Sequence, residues 1–437
     1  MKRLCLRFIF LIMTSIFIIP LTGCWNKREL NEVAIIYGIG IDAVNNSDEI
    51  EVSFQVINPN ALRKQGSSQQ APIIIISAKG KTLYDAIRNN LTQFDRKLFF
   101  FSNKVVVVDE KIAKKGVQEV LDLLMRDHET SITAHMVIAK DSTAKEILGV
   151  EKGVQNIQAS YLDDMINISN KYGIKSIKCN LLDFYKKLLK QGIEPTVGVT
   201  IVSESENQQE EQKKEKTSKS IKYSNAAVFQ DDRLIGYFDE NQTIGYNFIA
   251  NKIGDSIIPV IIDNETEKKM DWEEEKAIQE EIQKNIDKGK QKKKAYEKKK
   301  EKEKDITKII TVEINENTSR ITGNIENGKI ILNITVNVAG DIGESTFSQD
   351  FTNVEIVKAI EKAFSNTIKE RVQQSIDKAR DLEADVFGLG LMLQRTNPAA
   401  WKQVKEDWNK EFVKAEFRIE VNSTLHDSGF IFKSFDE

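Results

Sequence analysis

Three observations predict a mixed α/β (α+β) fold in three domains, with mixed sheets covered by helices. Between residues 33 and 202, strand-like and helix-like apolar periods alternate along the chain. Residues 203–220 then carry no apolar side chain in 18 positions, a stretch too polar to build a core. From residue 306 onward, period-two alternation gives way to a long segment with an apolar residue at every fourth position. A chain of 437 residues has length for two or three such cores.

Residues 33–42 are apolar and close on Gly38-Ile39-Gly40-Ile41-Asp42. Residues 49–57 place Ile50, Val52, Phe54 and Val56 on one face, so both segments read as strands. The four isoleucines at 73–76 predict a strand buried on both faces. Thr82 and Asp85 stand at capping-box spacing ahead of Leu83, Ile87 and Leu91, which gives a helix over 82–94. Residues 98–108 predict another buried strand, and Val117, Val120, Leu121 and Leu124 form the stripe of one amphipathic helix over 112–126. A strand over 133–139, a short helix capped by Thr143 and Glu146, two helices within 156–190 and a closing strand over 196–202 complete a first domain, 24–202.

Beyond a polar linker, 203–221, a small middle domain is expected over 222–263. It has a hairpin over 226–239 turning at Asp231-Asp232, a helix over 243–252 and a strand over 257–262. Roughly 40 residues are few for an independent core, so this segment should pack on the domain C-terminal to it. Charge is concentrated in 264–305, with 13 acidic and 14 basic residues in 42 positions, acidic up to 281 and lysine-rich after it. Ile278, Ile282 and Ile286 carry a helix into this segment, which then loses its apolar face. Two readings stand: a solvated helix or disordered arm, or a basic surface that attracts anionic lipid at about 1 kcal/mol per lysine.

In the last domain, 306–437, Ile330, Leu332, Ile334, Val336 and Val338 share one strand face after a turn at Glu326-Asn327-Gly328. Ile356, Ile360, Phe364, Ile368, Val372 and Ile376 line a helix over 354–379 that should cover this sheet. Trp401 and Trp408, seven apart, read as one face of a short helix, and 412–421 as the final strand.

The N-terminus has a different character. Lys2, Arg3 and Arg7 precede a hydrophobic run from 8 to 21, about 21 Å as a helix, which is short of a roughly 30 Å bilayer core. Residues 1–23 therefore read as a removable export signal. The sequence Leu21-Thr22-Gly23-Cys24 has the residue types of a lipobox: a branched apolar residue, two small ones, then the thiol that receives a diacylglyceryl group. Cleavage between Gly23 and Cys24 would leave 414 residues with 60 basic and 66 acidic side chains, so the formal charge changes from −3 to −6. Acyl chains on Cys24 would hold the body stably on a membrane, because two chains bind far more durably than one. The other reading is an ordinary export signal followed by a chance cysteine.

A search for chemistry returns little. The chain has no G-x-S-x-G elbow, no phosphate loop and no HExxH, and Gly38-Ile39-Gly40 lacks the third glycine of a dinucleotide fingerprint. His128, His135 and His426 are isolated, Asp163-Asp164 diverge on a helix, and Cys179 has no histidine near it in sequence and reads as packing. The three cysteines form no metal or disulfide pattern, and near-neutral charge gives no whole-chain argument for nucleic acid. No cofactor, metal or catalytic residue is expected.

Taken together, the motifs resemble a known family, the Ger(x)C spore germinant receptor C-subunit lipoproteins. Cys24-Trp25-Asn26-Lys27-Arg28-Glu29-Leu30 followed by Gly38-Ile39-Gly40-Ile41-Asp42 is similar to that family's mature N-terminus. So are Gly116, Leu121, Arg126 and Asp127, then Ala227-Val228-Phe229 with Leu234-Ile235-Gly236-Tyr237, and finally Asp385-Val386-Phe387-Gly388-Leu389-Gly390 with Trp401 and Trp408. Asn26 stands where the family usually has Asp, and the 42-residue charged segment is longer than the family pattern. The resemblance implies a non-enzymatic, three-domain lipoprotein on the outer face of the inner spore membrane, assembled with the integral membrane A and B subunits of a nutrient receptor. Trp25, Arg28 and Glu29 would then meet headgroups or a partner subunit, or else Trp25 and Leu30 pack under the first domain. The alternatives are a nutrient-binding (solute-binding) lipoprotein, which should show two similar lobes, and an anchored cell-wall hydrolase, which should show paired carboxylates or a metal set.

Overall fold

The computed structural model describes residues 33–58, 72–92, 94, 96–150, 157–205, 218–302, 307–326, 329–347 and 349–426, with the isolated positions 3, 7 and 10. The fold is mixed α/β, as the periodicities predict.

A nine-stranded sheet forms the first layer. Its strands are β1 (Val33–Ala43), β2 (Ile50–Ile57), β3 (Ile73–Gly80), β4 (Lys97–Phe99), β5 (Val105–Asp109), β6 (His135–Ala139), β7 (Thr196–Ser205), β8 (Ser218–Gln230) and β9 (Arg233–Phe238). The order is β3-β2-β1-β5-β6-β7-β8-β9, with β4 also beside β1. β1, β5, β6 and β7 run parallel, flanked by antiparallel pairs at both ends. Every residue of β5 and β6 is buried, as continuous apolar runs require when helices cover both faces. Val106, Val108, Met136 and Ile138 face α1 (Leu83–Leu91), α2 (Glu110–Lys115), α3 (Gln118–Arg126) and α6 (Leu181–Leu188). Val105, Val107, Val137 and Ala139 face α4 (Ala144–Gly149) and α5 (Gln158–Tyr172).

Several expectations change here. The isoleucine strand is the sheet's edge, where Ile74 is 44% exposed while Ile75 and Ile76 pack into the apolar clusters on opposite faces. The strand expected over 98–108 is two strands. β1 carries an extra residue between Ile36 and Gly38, and its parallel partner breaks at the same level, β4 pairing Val33–Ile35 and β5 pairing Gly38–Ile41. The polar linker joins β7 to β8, which are hydrogen-bonded from Thr196↔Val228 to Ser205↔Ser218, so the sheet continues across it. The segment 222–263 is accordingly divided. Its hairpin turns at Asp231-Asp232 as expected and completes the large sheet, whereas α7 (Glu240–Ile249) and β10 (Ser256–Ile261) pack with the second one.

The second sheet has the order β10-β11-β12-β13, with β11 (Ile309–Glu326), β12 (Lys329–Ser345) and β13 (Glu416–Leu425). Residues 327–328 of the expected turn lie outside the described residues. Helix α10 (Val354–Asp381) lays Ile356, Ile360, Phe364, Ile368, Val372 and Ile376, each at most 1% exposed, on Ile310, Val312, Ile334 and Val336. The charged segment forms two helices, α8 (Asn264–Lys284) and α9 (Ile286–Lys302), folded against each other. After α10 come α11 (Leu389–Thr396), α12 (Pro398–Val404), a 3₁₀ turn at Lys405–Asp407 and α13 (Trp408–Lys414). Trp401 and Trp408 thus sit on different helices, and Phe412 is helical, not part of the last strand. The chain's bend between them still brings the two indoles edge to face, 5.4 Å apart.

Candidate functional site

The residues named as the attachment and contact site, Gly23, Cys24, Trp25, Arg28 and Glu29, lie outside the described residues. The structure does describe the strand they lead into. β1 begins nine residues after Cys24, a span of at most about 30 Å. β1 is an interior strand, bonded to β2 on one side and to β4 and β5 on the other. A pull at the N-terminus therefore loads both ladders and not a frayable edge.

The motif residues are explained by close packing. A Cβ on Gly38 would come 2.7 Å from Leu148 Cδ2 and 3.0 Å from Ala159 Cβ, and one on Gly40 3.2 Å from Ala144 Cβ. The missing side chains let α4 and α5 approach the middle of β1. Asp42, two residues on and buried, then accepts hydrogen bonds from the Ala144 (2.6 Å) and Lys145 (2.9 Å) amides, capping α4 from a distant strand. Burial pushes its carboxyl up to about 6 against the pull of these donors.

Gly116 interrupts the expected 112–126 helix. Its φ of +130° is a conformation that side-chain-bearing residues rarely adopt, and a Cβ there would lie 2.5 Å from Asp232 Oδ2. That carboxylate, at the β8–β9 turn, accepts from the Gln118 amide, and the Asp232 carbonyl accepts from the Val117 amide. Two motifs more than a hundred residues apart thus form one contact.

The Asp385-Val386-Phe387-Gly388-Leu389-Gly390 motif is a buried knot between the lobes. Asp385 Oδ1 accepts from the amides of Phe387 (3.2 Å), Gly388 (3.0 Å) and Leu389 (3.2 Å), and Oδ2 accepts from the Gly390 amide (2.8 Å) and the Trp408 indole N–H (2.9 Å). Gly388 has a φ of +76°, and Gly390 leaves room for Gly192 and the Trp408 ring. Burial raises the Asp385 carboxyl to about 6, so at pH 7 it is mostly ionised and held by five donors. Beside it Glu194 accepts from the Asp231 amide (2.8 Å) and the Asn409 side chain (2.9 Å), tying the hairpin turn to α13. Ala226, Val228, Phe238, Tyr246, Trp401, Trp408 and Phe412 form the shared apolar core.

Sequence reasoning missed the polar group at this joint. Tyr246, 2% exposed, accepts from Lys187 Nζ (3.3 Å) and Thr196 Oγ1 (3.2 Å), with Lys252 Nζ 5.6 Å from its ring. Burial pushes the phenol up, but Lys187 and Lys252 outweigh it and bring it down to about 7. Nothing in the local sequence signals this group, because Lys187, Thr196 and Tyr246 come from three different elements.

His135 and Cys179 are explained by packing, while His128 and His426 are exposed. His135 Nε2 lies 3.3 Å from Asp163 Oδ1, and burial pulls the imidazole below its ordinary value. Cys179 is buried, donates to the Asn180 carbonyl, and has its thiol pushed up to about 11, far from a reactive thiolate. Among the described residues, no group of three or more histidine, cysteine or acidic side chains could hold a metal, and no helix is long and apolar enough to cross a membrane.

Comparisons with known proteins place the chain among spore germination proteins. Residues 26–202 match the family described as spore germination protein N-terminal domain, and residues 224–294 and 285–429 match spore germination B3/GerAC-like, C-terminal. The chain is 24% identical to spore germination protein KC of Bacillus subtilis (strain 168), over 98% of this chain and 96% of that protein. It is 21% identical to the putative spore germination protein YfkR of the same organism, over 95% of each. The solved GerBC protein structure aligns over 89% of this chain and 96% of its own, with a TM-score of 0.47 and 16% identity. The chain belongs to the Ger(x)C family, the C-subunit spore germination proteins of germinant receptors.

Proposed function

We propose that this chain is the non-enzymatic, membrane-anchored C subunit of a spore germinant receptor. It is tethered through lipidated Cys24 to the outer face of the inner spore membrane and assembles there with two integral membrane subunits. The observation that carries this reading is the family match along nearly the whole chain behind a lipobox at 21–24. The tether would end in an interior strand, and the 385–390 motif lies at the joint of the two lobes, where the Glu194 amide donates to the Asp385 carbonyl and Asn409 donates to Glu194, as suits a rigid body that transmits contacts and not a cleft that opens and closes. The nutrient-binder alternative expects two similar lobes, whereas one lobe here has a nine-stranded sheet and the other a four-stranded sheet.

Deleting the gene in a spore former should abolish loss of refractility in response to at least one nutrient. Unchanged responses to every nutrient, with paralogous genes also deleted, would overturn the receptor reading. Cys24→Ala should release the chain from membranes into buffer without detergent. Retention equal to the wild type in high salt would refute the tether.

A further inference from the structure

We infer that the tip of the α8–α9 hairpin is a second membrane contact, specific for anionic lipid headgroups. The base of the hairpin is neutralised internally: Lys299 pairs with Glu274 at 3.0 Å, Lys300 with Asp271 at 3.0 Å, and Tyr296 is buried between the helices. The tip differs. Lys284, Lys288, Lys290, Lys292, Lys293 and Lys294 are all exposed, none of them takes part in an ion pair among the described residues, and Asp287 is the one acid in 284–294. At the junction of the two helices, in the middle of these lysines, Ile286 is 60% exposed.

An exposed aliphatic group ringed by ammonium groups is suited to a bilayer surface. The isoleucine enters the acyl boundary while the lysine stems lie along it and their charges reach phosphate oxygens. At about 100° per residue, Lys288, Lys290, Lys292, Lys293 and Lys294 point around nearly the whole circumference of α9. A fluid headgroup layer can meet charges spread in this way, whereas a groove on a protein meets one face. The two pieces matched by the C-terminal family meet within the tip, at 285–294.

The inference rests on the tethered-subunit reading only for bringing the tip to a membrane, and the test separates the two. The full-length chain carrying Gln291→Cys, labelled with an environment-sensitive dye, is incubated with vesicles of phosphatidylcholine alone or containing about one third phosphatidylglycerol. Flotation with neutral vesicles reports the tether, and dye emission reports the tip. The expected result is a blue-shifted, stronger emission only with phosphatidylglycerol, lost when salt is raised from about 0.1 M to about 1 M. Replacing Lys290, Lys292, Lys293 and Lys294 by glutamine should weaken the response roughly fivefold per lysine, from about 1 kcal/mol each. A chain that floats with both vesicles yet emits identically in them overturns this inference and leaves the tether standing. A chain that floats only with phosphatidylglycerol vesicles overturns the tether and supports the tip. Emission that shifts only when partner subunits are reconstituted overturns the lipid assignment in favour of an acidic protein surface.

Discussion

Asp385→Ala should destabilise the joint between the lobes more than a substitution at any of the motif glycines. The carboxylate is fully buried and accepts five hydrogen bonds, three of them from donors that are themselves buried: the Leu389 and Gly390 amides and the Trp408 indole. An orphaned buried donor costs about 1–3 kcal/mol, so three would cost roughly 3–9 kcal/mol if nothing relaxed. Recovery of the carboxylate's own desolvation and entry of water into the loop reduce this, which leaves about 3–5 kcal/mol, the usual cost of breaking a buried charged network. That is a large share of a typical stability of about 5–15 kcal/mol. Urea unfolding of the purified full-length chain at pH 7, followed by tryptophan fluorescence, measures the loss, and near-ultraviolet circular dichroism reports the packing of Trp408. A pH series adds a second arm. The folded carboxyl is raised from 3.8 to about 6, so its protonated form favours the fold. Its contribution is complete below about pH 4 and is lost as pH rises through 6, roughly 3 kcal/mol in all. Asp42 titrates in the same window, so Asp385→Asn should remove part of that slope and not all of it. A loss below about 1 kcal/mol for Asp385→Ala with unchanged near-ultraviolet dichroism would refute the reasoning, because five real hydrogen bonds cannot vanish at so little cost.

Other positions give independent tests. Gly38→Ala should cost about 1–3 kcal/mol through overpacking against Leu148, which is fully buried, and a stability equal to wild type would mean that β1 and α4 are not in close contact. Gly116→Ala combines a strained φ with a clash on Asp232, so it should destabilise by about 1–3 kcal/mol; a melting temperature within error of wild type would dismiss the docking of the hairpin turn on α2 and α3. One of the nine tyrosines should ionise near pH 7 by near-ultraviolet absorbance, and Tyr246→Phe should abolish that step. Because the folded phenol lies below its unfolded value of about 10, its contribution is present above pH 10 and lost as pH falls through 7. A titration with no tyrosinate below about pH 9 would contradict the Lys187–Tyr246–Lys252 arrangement.

The amino-acid sequence by itself determined what depends on neighbours in the chain. Burial period marked β2, β5, β6 and α10, and local side-chain caps marked α1 and α4, all within a few residues of each other. Ordered motifs also pointed to the family, although they did not say what each residue does. Only the tertiary structure decided that. Gly38 and Gly40 read as a broken nucleotide fingerprint until α4 is seen against them, and Asp385 is only one residue of a family motif until its five donors, drawn from residues 387 to 408, converge on it. The polar stretch at 203–220 looked like a domain boundary because composition records solvent exposure, whereas strand pairing is set by β7 and β8 on either side of it. The charged hairpin shows the same division. Its composition is plain in the chain, but which lysines are neutralised and which surround an exposed isoleucine depends on how α8 folds back on α9, where ion pairing at the base leaves the excess charge at the tip.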